Sequence, residues 1–248
     1  MADTYYDKQQ LIKIHDSYSE LGIQLRFIFT NPLLNEYDLH DRYSNLVLQI
    51  FQDLSPEVVV NSPLLEEYIR KEYPSVSFIS STTKRLRNND AQLKEFSHAY
   101  KYICLDYDYN YNIDFLEDIQ EKDRNRVEIL INSICPSKCG VRVLHQNFSA
   151  KRQLEYDNDD YCDESEPFYA NCPLIKRGKE IPSSQHGYTK KYLLGTNYIF
   201  PQDLNLYLDK GYSHFKIQGR ELPATMLFAE FMPYLIKPEF YPLAISIL

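Results

Sequence analysis

Val127-Glu-Ile-Leu-Ile-Asn-Ser-Ile-Cys-Pro-Ser-Lys-Cys139 joins a predicted strand to a two-cysteine loop. β-Branched residues alternate in its first half, which is typical of a buried strand. Pro136 disfavours a helix or a sheet hydrogen bond just after Cys135. Two thiols with three residues between them, at the end of a strand, can face one metal ion.

Strand, polar loop and helix alternate on the amino-terminal side of this segment. The pattern predicts strands at 25–30, 58–60, 76–80 and 102–106, and helices at 8–22, 38–54, 63–72, 90–99 and 113–120. On the carboxyl side it predicts a strand at 214–218 and a helix at 221–232. Such alternation indicates an α/β fold with a parallel sheet and right-handed crossovers.

The length and the net charge of the chain limit the classes of protein to which it can belong. The 248 residues are enough for one α/β barrel or two small domains. The net charge of −8 argues against a large basic surface that binds nucleic acid. No apolar run reaches the roughly 18–20 residues that span a bilayer, and the amino terminus lacks a signal-peptide pattern. We therefore expect a soluble cytoplasmic protein without a membrane partner.

The region 140–190 lacks any clear hydrophobic period and carries two further cysteines in acidic surroundings. The four cysteines from the opening segment onward have the spacing C-x3-C-x22-C-x9-C, at Cys135, Cys139, Cys162 and Cys172. An aperiodic connection of this length is disordered or held by something other than an apolar core, and its cysteines favour the second. We expect an irregular metal-binding insert at 133–190, and a core position in a buried strand for the fifth cysteine, Cys104.

The chemistry of the centre stays open from spacing alone. Iron–sulfur clusters and structural zinc both use four thiolates, and a protein without any metal is the third alternative. The C-x2-C pairs that are usual in zinc ribbons are absent, which favours a cluster. His145 is more typical of a hydrogen-bond donor beside such a centre than of a ligand.

Short motifs in the chain resemble the collagenase-like peptidases, peptidase family U32. They are the strand with its cysteines, 128–139, and His214-Phe-Lys-Ile-Gln-Gly-Arg220, which resembles that family's "FKIEGR" with Gln218 in place of the acid. Val58–Pro63 and Cys104–Asp106 are similar to strands of its barrel.

The resemblance implies a TIM-like (β/α) barrel, complete or distorted, as a single domain over residues 1–248. It further implies that Cys135, Cys139, Cys162 and Cys172 bind a 4Fe–4S cluster, with zinc as the alternative. Members of the family are named peptidases or act in oxygen-independent hydroxylation of tRNA, rRNA or a quinone precursor. From these reactions we expect a small-molecule or RNA substrate. Because some members work in pairs, we also expect a protein partner in a hetero-oligomer.

In a parallel barrel, ligands bind where the carboxyl ends of the strands open. The polar residues predicted there are Asn61, Ser81, Thr82, Lys84, Asp106, Asn132, Gln218 and Arg220. We select three as catalytic candidates: Arg220 to hold a carboxylate or phosphate, Asp106 as a general base, and Asn132. The structural alternatives are an ion pair for Arg220 and a helix cap or an arginine partner for Asp106. The basic run 84–87 is a phosphate contact or a solvated loop.

Conventional protease motifs are absent. The chain has no Gly-x-Ser-x-Gly and no His-Glu-x-x-His, and Cys135 followed by proline is not a recognised nucleophile context. Our first hypothesis is therefore an iron–sulfur enzyme, or a subunit of one, in a hydroxylation-type modification. The second is a binding or scaffold protein whose metal centre is only structural, and the third is a peptidase.

Overall fold

The structure is a computed structural model that describes residues 5–154, 171–173, 176, 195–219, 223–240 and 243. Its strands are β1 (Arg26–Phe29), β2 (Glu57–Val60), β3 (Ser77–Ser80), β4 (Tyr102–Cys104), β5 (Val127–Leu130) and β6 (His214–Lys216). Its helices are α1 (Lys8–Ser19), α2 (Arg42–Phe51), α3 (Pro63–Glu72), α4 (Asn89–Lys94), α5 (Ile113–Asp118), α6 (Glu121–Arg124), α7 (Arg142–Leu154), α8 (Asn205–Leu208) and α9 (Ala224–Leu235). Short 3₁₀ turns link several of them.

The chain divides into two compact units. The first comprises Met1–Asp106 and Arg142–Cys162, and the second comprises Tyr107–Val141 and Asp163–Leu248. The prediction of one barrel domain over residues 1–248 stays a prediction.

The first unit is built on β1 to β4, which pair in parallel and in chain order. Ile28 pairs with Val59, and Val59 pairs with Ile79 in the next strand. All four residues of β2 are buried, as expected for a central strand covered on both faces. Parallel pairing between strands that follow each other along the chain is the arrangement of a (β/α) barrel, and it confirms the predicted α/β class.

Helix starts in this unit follow local sequence signals. Asp41 accepts a hydrogen bond from the Ser44 amide and begins α2. Ser62 accepts from the Leu65 amide, and Pro63 occupies the first turn of α3. The start of α3 fixes where β2 ends and therefore where the polar residues after it lie.

The second unit contains the β5–β6 pair, again parallel. Ile129 pairs with Phe215, and the Ile131 amide donates to the Lys216 carbonyl just beyond the strand. Every residue of β5 is buried, as the alternation of β-branched residues predicted. The buried rings of Tyr207 and Tyr212 belong to the core of this unit.

One expectation is wrong within the described residues. The region 140–190 was expected to be irregular, but 142–154 forms the three-turn helix α7. Its buried residues are Arg142 and Ala150, whereas Val143 and Leu144 are exposed, so the apolar residues of the helix do not mark the face that is buried. The irregular cysteine insert at 133–190 is therefore not confirmed, and most of its remainder lies outside the described residues.

No helix among the described residues is both long enough and apolar enough to cross a membrane.

A buried carboxylate at the amino ends of the strands yields a stability prediction. Glu57 is 1% exposed; its Oε2 lies 2.6 Å from Arg26 Nε and its Oε1 lies 2.5 Å from Lys101 Nζ. Replacing both cations by methionine leaves a buried carboxylate without these partners, and we expect a loss of about 1–3 kcal/mol per cation, because each supplies a charge-assisted hydrogen bond. Urea unfolding checks this, with Lys71→Met as the exposed control.

Equal stability of the double variant and the Lys71→Met control would contradict this role for Glu57.

Candidate functional site

The carboxyl ends of β2 and β3 carry hydroxyl and amide side chains that bond to one another. Asn61 Nδ2 donates to Thr83 Oγ1 at 2.8 Å, and Ser81 Oγ lies 2.8 Å from the same atom. The structure thus brings the predicted residues Asn61 and Ser81 together, as parallel strands require. Thr82 Oγ1 is buried beside them without a hydrogen-bond partner in the described structure.

Lys84 has a different role from either alternative considered for the basic run. Its Nζ lies 2.9 Å from Glu95 Oε2 and 2.8 Å from the Tyr100 hydroxyl, with only 12% of the side chain exposed. Tyr100 donates in turn to Glu66 Oε2 at 2.5 Å. Burial, followed by this bond to Glu66, raises the pKa of Tyr100 above its ordinary range. Lys84 therefore belongs to an internal ion-pair network.

Asp106 is the partner of an arginine. Arg142 Nη1 lies 2.8 and 3.0 Å from the two carboxylate oxygens of Asp106, and the two side chains are only 2% and 1% exposed. Gln92 Oε1 accepts from the Asp106 amide at 3.1 Å. Of the two structural alternatives for Asp106, the arginine partner is correct. Arg142 itself was missed, since it is the first residue of a helix that has no apolar period.

Further contacts hold α7 over the strand ends of the first unit. Arg85 Nη1 donates to Asn147 Oδ1 at 3.2 Å, and Asn31 Nδ2 donates to the Ala150 carbonyl at 2.8 Å. Asn31 follows β1, Arg85 follows β3 and Asp106 follows β4. The helix therefore crosses this edge of the sheet from β4 to β1 and covers the polar side chains there.

In the second unit, Asn132 connects the end of β5 to the end of β6. Its Oδ1 accepts from the Gln218 amide at 2.9 Å, and its Nδ2 donates to the Gln218 carbonyl at 2.8 Å. Asn132 is buried, whereas Gln218 is exposed. The amide of Asn132 is thus occupied in fixing two strand ends. Arg220, the other catalytic candidate of this unit, lies outside the described residues.

A carboxyl group that the sequence pattern did not reveal lies beside Asn132. Glu230 of α9 is 9% exposed and bonds to the Asn132 side chain. Burial raises the pKa of Glu230, and the bond to Asn132 lowers it in part. Tyr198 and Tyr234 are close enough for Glu230 to raise the pKa of each hydroxyl, although burial is the larger cause. Glu230 is the single charged residue of the otherwise mostly apolar α9, and this is the signal in the sequence that could have revealed it.

Glu230→Gln is expected to flatten the pH dependence of stability. Because the pKa of Glu230 is raised on folding, its stabilising contribution is complete below its unfolded pKa and is lost as pH rises through the folded pKa. The glutamine variant lacks this loss, so it should gain free energy of unfolding relative to the parent as pH rises from about 4.5 to 8. Urea unfolding at several pH values checks this, with exposed Glu239→Gln as control.

If the free energy of unfolding changed with pH in the same way for the wild type and the Glu230→Gln variant, the raised pKa of Glu230 would be contradicted.

The cysteine loop after β5 is held by an acid and an amide. The Cys135 carbonyl accepts from the Asn197 amide and side chain at 3.0 and 3.1 Å. Asp108 Oδ1 accepts from the Lys138 amide at 2.9 Å. Lys138 has φ of 54°, a left-handed conformation that reverses the chain just before Cys139. Together these bonds fix the backbone on which both thiols are carried.

The donor set for a metal is incomplete in the described residues. Cys135 and Cys172 are half-buried and Cys139 is buried, but no three Cys, His, Asp or Glu residues among those described form a group able to hold a metal ion. Cys162 lies outside the described residues. The four-cysteine ligand set Cys135, Cys139, Cys162 and Cys172 therefore stays a prediction. Cys104 is 2% exposed in β4, as predicted for a core position.

Comparison with known proteins places these features in context. No protein-family model matches the chain. An "Uncharacterized protease MJ1657" of Methanocaldococcus jannaschii is 32% identical over 124 residues, which are 49% of this chain and 32% of that protein. The chain thus spans about a third of the length of this relative. A solved structure titled "The Structure of the U32 Peptidase Mk0906" has a TM-score of 0.48 at 17% identity, over 68% of this chain and 70% of that one. Over about half of its length the chain is thus similar in sequence to a protein that is named a protease.

Proposed function

We propose that this chain is an iron–sulfur protein of the collagenase-like type that takes part in an oxygen-independent, hydroxylation-type modification. Cys135, Cys139, Cys162 and Cys172 are the ligands of a 4Fe–4S cluster in this proposal. The protein is cytoplasmic, takes a small-molecule or RNA substrate, and works with a protein partner in a hetero-oligomer.

The observation that carries the proposal is the set of hydrogen bonds that hold the cysteine loop after β5. Asp108 accepts from the amide of Lys138 at the reversal of the loop, and the Asn197 side chain donates to the Cys135 carbonyl. Outer hydrogen bonds of this kind orient the ligands of metal centres, and they lower the cost of ordering the loop when the metal binds. The site lies just beyond the carboxyl end of a parallel strand, where (β/α) proteins bind ligands.

In this proposal the residues of the chain bind a charged group of the substrate and hold the strand ends at the site in place. A bound cluster would supply electrons one at a time. Arg220 would hold an anionic group of the substrate, as an arginine beside a glycine can approach a carboxylate or phosphate with two hydrogen bonds. Asn132 would keep the ends of β5 and β6 together, since both its functional atoms bond to Gln218.

Anaerobic purification followed by iron, sulfide and zinc analysis tests the proposal. We expect a brown protein with about four iron and four sulfide per chain. Colourless protein with one zinc per chain would favour the structural alternative. Absence of iron, sulfide and zinc after anaerobic reconstitution would overturn the proposed centre.

The second candidate, a metal-stapled binding or scaffold protein, is favoured by the internal pairing of the strand-end residues. Asp106 bonds to Arg142, Lys84 bonds to Glu95, and Asn132 bonds to Gln218, so each of these side chains has a structural role. Zinc in place of a cluster fits this candidate best. A third candidate, a peptidase, follows only from the names of the similar proteins.

A further inference from the structure

A groove of the first unit is lined by side chains that the proposed metal centre does not use. It has a volume of about 610 Å³, and its walls come from the 3₁₀ turn Asp38–His40, from α2 and from α3. A volume of this size is in the range of cavities that bind ligands. The side chains that line the groove are cationic, aromatic, amide or aliphatic and include His40, Arg42, Tyr43, Leu46, Gln49 and Tyr68.

Arg42 gives the groove its positive charge. The residue is exposed and makes no hydrogen bond, ion pair or ring contact within the described part of the chain. The two acids nearest to it in sequence bond to backbone amides instead. Asp41 Oδ1 accepts from the Ser44 amide at 2.7 Å, and Asp38 Oδ2 accepts from the Asn35 amide at 2.8 Å. The guanidinium can therefore pair with a carboxylate that another molecule brings to the groove.

Asn45 holds both walls of the groove in place. Its Nδ2 donates to the carbonyls of Leu39 and Asp41, each at 2.8 Å, and so fixes the turn that carries His40. Its Oδ1 accepts from the Tyr68 hydroxyl at 2.7 Å. The rings of His40 and Tyr68 meet edge to face, with their centroids 6.0 Å apart. The lining is thus formed before a ligand arrives, which lowers the entropic cost of binding.

We propose that this groove binds a peptide segment of a protein partner in which an aspartate or glutamate lies beside an apolar side chain. The carboxylate pairs with the Arg42 guanidinium. The apolar side chain packs on Leu46 and on the rings of Tyr43 and Tyr68, and the Gln49 amide bonds to the peptide backbone. This inference rests on the proposed function for the existence of a protein partner, but not on the metal centre.

The charge and the composition of the groove favour an acidic peptide over other occupants. Tyrosine and arginine are enriched at the centres of protein interfaces, where lysine and acids are depleted, and the lining follows this pattern. A strand of RNA is held by several cations along its phosphates, whereas the described lining has one arginine and no lysine. The groove is open to solvent, which suits a chain segment better than a small molecule that must be enclosed.

An NMR titration of the whole protein with a defined peptide tests the proposal. The probe is acetyl-Leu-Glu-Leu-Glu-Leu-amide, and its matched control is the same peptide with glutamine in place of glutamate. We expect saturable shifts of the amides of His40, Arg42, Leu46 and Tyr68 with the acidic peptide. Arg42→Gln should weaken this binding about tenfold, because it removes a hydrogen-bonded charge pair. The glutamine peptide should bind the wild type about tenfold more weakly for the same reason.

Lys94→Gln is the control variant, since it removes an exposed cation that does not line the groove, and it should bind the acidic peptide like the wild type. Equal binding of the two peptides, or no saturable shift in the groove, would overturn the proposal. Tighter binding of a five-nucleotide oligouridylate that Arg42→Gln abolishes would overturn it in favour of RNA. Self-association that Arg42→Gln abolishes, measured by sedimentation, would overturn it in favour of a second copy. Iron and zinc content of the same samples reports separately on the metal centre of the proposed function.

Discussion

Arg142→Met is expected to lower the free energy of unfolding by about 3–5 kcal/mol, the usual cost of removing one partner of a buried ion pair. The variant leaves the Asp106 carboxylate, 1% exposed, without the guanidinium that contacts both its oxygens. Urea unfolding of the wild type and the variant measures the loss. Lys71→Met, which removes a largely exposed cation, is the control and should change stability little.

A double-mutant cycle separates the pair from its neighbours. Asp106→Leu combined with Arg142→Met removes both charges, so the double variant should be more stable than Arg142→Met alone. α7 should also lose protection from hydrogen exchange in Arg142→Met before β2 does, because the ion pair holds the helix to the end of β4. Equal protection of α7 in the variant and the wild type would show that other contacts position the helix.

Cys135→Ala and Cys139→Ala are each expected to abolish or greatly reduce metal binding. Each removes one thiolate from the loop that Asp108 and Asn197 hold, and a cluster lacking a ligand is lost readily. Iron and sulfide content after anaerobic reconstitution is the measurement. Cys162→Ala and Cys172→Ala should likewise lose metal binding if all four cysteines of the C-x3-C-x22-C-x9-C spacing are ligands.

Cys104→Ala is the matched control, because that thiol is buried in β4. Its variant should keep the metal and change only stability. Loss of metal in the Cys104 variant, with full retention in the Cys135 variant, would show that the ligand set is wrong.

The sequence predicted the strands well for a physical reason. β2 and β5 are covered on both faces, so most of their residues are apolar, and the short runs Val58–Val60 and Ile129–Ile131 are visible in the sequence. α7 was missed for the opposite reason. A helix held by Arg142, Asn147 and the backbone near Ala150 needs no apolar stripe, and its polar contacts lie far away along the chain.

The candidate site was predicted in part. The rule that polar residues after parallel strands share an edge correctly placed Asn61 close to Ser81, and Asn132 beside Gln218. It could not say which of these side chains are engaged by partners, since the partners Arg142 and Glu230 lie on helices remote in sequence. Burial of a single acid or arginine depends on packing, which a one-dimensional pattern does not report.

X-ray absorption at the iron edge on anaerobically prepared protein tests the central claim most directly. The account predicts iron coordinated by sulfur alone, with iron neighbours of its own as in a cluster, and loss of that spectrum in Cys135→Ala. Iron bound only by oxygen or nitrogen, or a protein that binds neither iron nor zinc after reconstitution, would contradict the assignment of a metal centre to the loop after β5.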